Sequence, residues 1–127
     1  MTIKNIGNQI IECSRFRIFL EKYQERWLHH LFTMREIAVA NNSVQSIELF
    51  CGLCAGKQAV WQAMQFPGNR LYYWHELEIN PAPIDQSFQV NLAGASADWQ
   101  MRKGINHIFL TISLSRAYAS AFAIATT

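Results

Sequence analysis

Phe66-Pro67-Gly68-Asn69 separates two hydrophobic rhythms, and the residues on either side of it set the expected fold. Downstream, Leu71, Tyr73, His75, Leu77 and Ile79 alternate with Arg70, Tyr72, Trp74, Glu76 and Glu78. That period of two predicts a strand over 70–79 with one apolar and one mixed face. Asn80-Pro81-Ala82-Pro83 ends it, because proline cannot donate to a sheet ladder. Phe88, Val90 and Leu92 alternate in a second short strand, and Gly94 to Gly104 reads as a polar connection. In a third strand, Ile105 to Ser115, one face carries Ile108, Leu110, Ile112 and Leu114 and the other Phe109, Thr111, Ser113 and Ser115. The alanine-rich tail from Arg116 to Thr127 reads as an extended segment or an exchanged arm, since an uncharged end is poorly solvated when it hangs free.

Upstream of the divide the period is helical. From Asn5 to Ala40 there is no proline, and Ile6, Ile10, Cys13, Phe16, Leu20, Tyr23, Trp27, Leu31, Met34 and Ile37 recur at steps of three and four. A second apolar set, Ile11, Ile18, Phe32 and Val39, widens the face enough to meet two neighbours. Ala40-Asn41-Asn42-Ser43 reads as a break, with Asn42 and Gln45 resembling a capping box, and a second helix follows from Val44 to Phe66. Gly52 and Gly56 weaken that helix by about 1 kcal/mol each unless they admit another backbone. The expected fold is α+β: one domain over 1–127, with an N-terminal long helical hairpin (helical half 5–66) packed on a small antiparallel sheet (strand-rich half 70–127).

Composition narrows the function classes. Half the residues are apolar, 13% are aromatic and only 16% are charged, against roughly 25% in ordinary soluble domains. Disorder is excluded, and a charge-poor surface favours a protein partner. The net charge of +2 is spread evenly, with seven basic and five acidic residues before Pro67 and four of each after it. Arg15, Arg17, Lys22 and Arg26 are interleaved with Glu12, Glu21 and Glu25, so a solvated helix face is expected there and nucleic acid is disfavoured. Met1-Thr2-Ile3-Lys4-Asn5 lacks the core of a signal peptide, and no run reaches the roughly 18 apolar residues of a membrane span. A cytoplasmic location, or one within an assembled particle, is the expectation.

Chemistry-bearing motifs are few. Cys51-Gly52-Leu53-Cys54 has the spacing of a redox pair or of half a zinc site. A thioredoxin-like context is missing around it, so two core cysteines are expected. Zinc lacks further ligands: His29 and His30 point about 100° apart on a helix, while His75 and His107 sit on separate strands. The isolation of the histidines also weakens a cysteine nucleophile. Gly52 to Lys57 lacks the spacing of a phosphate-binding loop, and Gln58 stands where its hydroxyl would be. Glu76 and Glu78 share a strand face that alternation assigns to solvent.

The aromatic residues suggest more than the motifs do. Tyr72, Trp74 and Phe109 fall on strand faces opposite the apolar ones, and with Phe19, Trp27 and Phe32 they form the expected interface. The leading expectation is a structural or interaction subunit of a homo-oligomeric or multi-protein assembly, such as a virus particle or secretion machine. It involves no catalysis, cofactor, metal or small-molecule substrate. A thiol–disulfide redox protein using Cys51 and Cys54 is the alternative, and a small inhibitor of a foreign macromolecule the third reading.

Overall fold

Residues 3–12 are a strand, β1 (Ile3–Glu12), in the computed structural model of the chain, where a helix was expected. A step of four is even, so Ile6 and Ile10 share a face of a strand as readily as a stripe of a helix. β-Branched Ile3, Ile6, Ile10 and Ile11 favour the extended form. The decision comes from tertiary pairing: β1 runs antiparallel to β5 (Tyr118–Thr126), with Ile6 opposite Ile124 and Ile11 opposite Ala119. The structure describes residues 1–66, 71–81 and 87–127, giving the backbone alone for 23–27 and 71–73, so the Pro67-Gly68-Asn69 stop and Ala82-Pro83 lie outside the described residues.

The long helix expected across residues 5–40 is therefore three elements. After β1, α1 covers Cys13–Leu31, and extended Phe32 and Thr33 interrupt it before α2 (Met34–Asn41). Thr33 and Glu36 form a reciprocal capping box, which fixes the new start by satisfying donors at the helix N-terminus. The box expected at Asn42 and Gln45 is absent, since Gln45 caps α3 (Ser46–Met64) without a side-chain hydrogen bond. The N-terminal helical hairpin is thus not shown. The architecture is a five-stranded antiparallel sheet with helices, its strands ordered β1-β5-β4-β3-β2.

The second half departs from expectation in two places. Residues 71–76 form a 3-10 helix (Leu71–Glu76), leaving β2 only Leu77–Pro81. After β3 (Phe88–Leu92), the expected polar connection contains α4 (Gly94–Arg102). The Glu76 carboxylate accepts from the Ser96 N–H at 3.0 Å and the Ser96 hydroxyl at 3.2 Å, anchoring that helix N-terminus from a distant segment. β4 (His107–Leu114) and the tail strand β5 complete the sheet.

α3 lies across β1, β5 and β4. Small residues make that possible: Ala119, Ala121, Ala123 and Ala125 line the inner face of β5, opposite Ala55, Ala59 and Ala63 of α3, all buried. Gly7 of β1 sits so close to α3 that an added Cβ would overlap the Ala59 carbonyl oxygen and stand 3.0 Å from the Ala63 nitrogen. At Gly56 an added Cβ would meet Ile112 at 2.9 Å and Ile79 at 3.0 Å, so the approach there is by side chains of the sheet. Packing at this density ties the β1–α3 seam to a fixed geometry.

Candidate functional site: the two sides of helix α3

Lys57 is the only charged residue between Glu48 and Arg70, and it lies in an otherwise apolar and small-residue helix. Its ammonium is wholly buried and meets the equally buried Glu36 carboxylate at 2.7 Å. The remaining Lys57 donors are used by the Leu31 carbonyl at 2.9 Å and the Trp74 carbonyl at 2.8 Å. Glu36 also accepts from the backbone N–H of Thr33 at 2.8 Å and of Ile79 at 2.9 Å. One ion pair thus joins α3, the α1–α2 junction, the 3-10 helix and β2. Burial pushes the Glu36 carboxyl up and the Lys57 ammonium down, and their mutual attraction opposes both shifts. Every polar atom of the pair is satisfied inside protein, so the pair acts as an internal brace.

The other side of α3 faces β1 and carries amides. The Gln62 Oε1 accepts the backbone N–H of Asn8 at 2.9 Å and the Gln9 side-chain amide at 3.2 Å. Gln58 lies one turn back on the same stripe of α3, and its Nε2 is 4.0 Å from the Cys54 sulfur. This rim is polar, partly solvated and neutral.

The described carboxylates with printed contacts are engaged elsewhere. Glu12 contacts Arg15 and Ser14, Glu36 braces Lys57, and Glu76 holds α4. Burial would raise the Glu78 carboxyl, but hydrogen bonds from Asn80 and Thr33, together with Arg35 and Lys57, hold it below its ordinary value. Among the described residues no group of three His, Cys, Asp or Glu side chains could hold a metal ion.

The expected residues are scattered over the fold. Cys51 and Cys54 are both buried in α3, and burial pushes the Cys51 thiol far up and the Cys54 thiol up to about 12. The sulfur beside Cys51 is that of Cys13, at 3.2 Å. Phe32 and Trp74 are core residues, and Phe19 is half-buried against that core. Phe109 is 43% exposed on the outer sheet face, edge-on to His107 at 4.2 Å. The side chains of Trp27 and Tyr72 lie outside the described residues. His30 and His75 meet edge-on at 6.3 Å, the one place where two of the expected histidines come together among the described residues.

No family profile matches the chain. A holo-(acyl-carrier-protein) synthase of Chlamydia felis is 31% identical to it over 125 residues, covering 98% of each chain. The chain belongs to the holo-(acyl-carrier-protein) synthase family. The fold agrees: the family's crystal structure from Neisseria meningitidis superposes with a TM-score of 0.89 at 17% identity, covering 99% of this chain and 100% of that one. The Helicobacter pylori enzyme, solved in complex with coenzyme A, gives 0.80 at 18% identity over 95% and 99% of the two chains.

Membership of the family overturns the expected function. The relatives are named as synthases, so the non-enzymatic assembly subunit, viral or secretory, gives way to an enzyme family. The redox and inhibitor alternatives fall with it. The expectation that the partners are proteins alone, with no small-molecule substrate, is corrected by the coenzyme A complex of the Helicobacter pylori relative. Among the described residues no helix is long and apolar enough to cross a membrane.

Two features of the site have a signal in the sequence. Thr33-Met34-Arg35-Glu36 has capping-box spacing, and a lone lysine in an apolar helix implies a buried acid partner. The amide rim had no such signal, because glutamine on a helix is ordinary surface until β1 is placed beside it.

Proposed function

We propose that the chain binds coenzyme A and an acyl carrier protein and moves the phosphopantetheinyl group from the first to the second. The observation that carries the reading is the 31% identity to a named synthase across 98% of both chains. In this transfer an acceptor oxygen on the carrier protein bonds to a phosphorus of coenzyme A and the diphosphate bond breaks. The acceptor's proton passes to a base, and 3',5'-ADP leaves.

Positive charge suited to such an anionic ligand is gathered at the C-terminal end of α4. Arg102 and Lys103 lie 5.5 and 4.9 Å from the Trp99 ring, and Lys4 donates to the Lys103 carbonyl. Trp99 itself is tied to the end of α3 by a 2.8 Å hydrogen bond from its indole N–H to the Met64 carbonyl. This links the cationic end of α4 to the helix that carries the brace and the rim.

The test is incubation of the purified chain with coenzyme A and an apo acyl carrier protein, followed by the intact mass of the carrier. Gain of one phosphopantetheinyl group supports the reading. A carrier that stays unmodified at stoichiometric protein, both with magnesium and with chelator, overturns it.

A further inference from the structure

Transfer from a diphosphate commonly uses a magnesium ion held by one or two protein carboxylates together with the substrate phosphates. Resting on the functional reading above, the question is which residues of this chain would hold one. The described carboxylates do not converge, and no described cluster fits a metal. Where β1 and α3 meet at a solvated rim, the polar side chains are Gln9, Gln58 and Gln62. An amide is the neutral counterpart of a carboxylate: its oxygen coordinates a hard cation weakly, and its nitrogen donates hydrogen bonds, which a cation does not accept.

The orientation of Gln62 follows from its neighbours. The Asn8 backbone N–H needs an acceptor and takes Gln62 Oε1 at 2.9 Å, so Nε2 of that amide turns the other way and donates to no described residue. Its oxygen is already shared with the Gln9 amide at 3.2 Å. Beside the neutral amide oxygens of Gln9 and Gln58, the rim therefore keeps free N–H donors on Gln62, Gln9 and Gln58. Such donors suit phosphate oxygens and disfavour a divalent cation.

We infer that the β1–α3 rim of this chain is a metal-free anion subsite, in which the amides of Gln9, Gln58 and Gln62 meet phosphate oxygens of coenzyme A directly. The chain accordingly holds no protein-bound magnesium at this rim. Loss of a fixed dication removes a strong source of charge stabilisation for the breaking diphosphate bond. Any transfer by the natural chain is expected to be slow and insensitive to magnesium.

The cation is tested on the full chain with Mn2+, read by water-proton relaxation and needing no turnover. The natural chain is expected to give no enhancement above that of a non-binding control protein. Gln9→Glu/Gln58→Glu, which leaves Gln62 holding Asn8, is expected to create a site and raise the enhancement. Stoichiometric Mn2+ on the natural chain, abolished by Gln9→Ala/Gln58→Ala, overturns the inference.

Calorimetry with coenzyme A tests the anion. Affinity that changes less than about threefold when chelator replaces magnesium, and that weakens about tenfold in Gln9→Ala/Gln58→Ala, supports a direct amide contact. Affinity that requires magnesium, or that ignores the alanine variant, overturns it. A natural chain that binds no coenzyme A in either buffer overturns the functional reading and the anion subsite together, while the Mn2+ result still decides whether the rim holds a cation.

Discussion

The two sides of α3 treat charge in opposite ways. Toward the 3-10 helix and β2, Lys57 and Glu36 form an ion pair that no solvent reaches. Toward β1, in the partly solvated place where a charged group would be easier to keep, the described polar side chains of α3 are the amides of Gln58 and Gln62. A buried pair of this kind gains little net stability over apolar packing, yet losing one partner is severe, because the other is left charged and dry. Charge is thus kept where it joins four segments of the chain and is absent where it could act on a ligand.

Breaking the braced side gives the largest expected effect. Glu36→Ala leaves the Lys57 ammonium, with no exposed surface, facing two carbonyls and no counter-charge. A loss of about 3–5 kcal/mol in urea unfolding is expected. Replacing both partners by apolar residues, Glu36→Leu/Lys57→Met, is expected to recover most of that loss. If the single variant loses less than about 1 kcal/mol, the ion pair does not brace the fold.

The seam between the two sides is tested next. At Gly7 an added methyl would run into the Ala59 carbonyl, which is backbone and cannot swing aside. Gly7→Ala is expected to cost about 1–3 kcal/mol through the forced shift of β1 from α3. Because that shift separates Gln9 from Gln62, it should also lower coenzyme A affinity. A variant as stable as the natural chain would show that the seam is looser than it looks.

These same residues show what the sequence could and could not reveal. Strand β4 and the extended tail follow directly from alternation and from an uncharged end that needs a partner. Strand β1 does not, because Ile6 and Ile10 satisfy both periods and only the ladder to β5 chooses between them. Helix α4 depends on Glu76, which is eighteen residues from Gly94 and invisible to any local window. The brace was half legible, in Lys57 and in the Thr33–Glu36 spacing. The rim was not, since nothing within the stretch 58–62 tells a solvent-facing glutamine from one that meets a strand fifty residues earlier. Conversely, the aromatic residues that suggested an interface were partly core: Phe32 packs on Phe50 at 5.2 Å, and Trp74 covers Lys57 through its carbonyl.

The smallest predicted effect measures how far the brace is felt outside the core. His75 is exposed and immediately follows Trp74, whose carbonyl accepts from Lys57. Partial burial lowers its pKa below the usual 6.5, and the positive charges of Lys57, His30 and His29 lower it further. A depressed histidine contributes stability that is fully present above 6.5, where both folded and unfolded forms are neutral. As pH falls below that value the unfolded chain takes the proton first, so this contribution shrinks until the folded pKa is passed. Urea midpoints are therefore expected to decline gently on the acid side of 6.5, by an amount that solvent screening keeps small. His75→Asn should flatten that slope. In Glu36→Leu/Lys57→Met the nearby positive charge is gone, so the His75 titration followed by NMR should move back toward its ordinary value. A titration that stays put in the double variant would mean that the Lys57 charge does not reach past the 3-10 helix, and that the brace acts on the surface through packing alone.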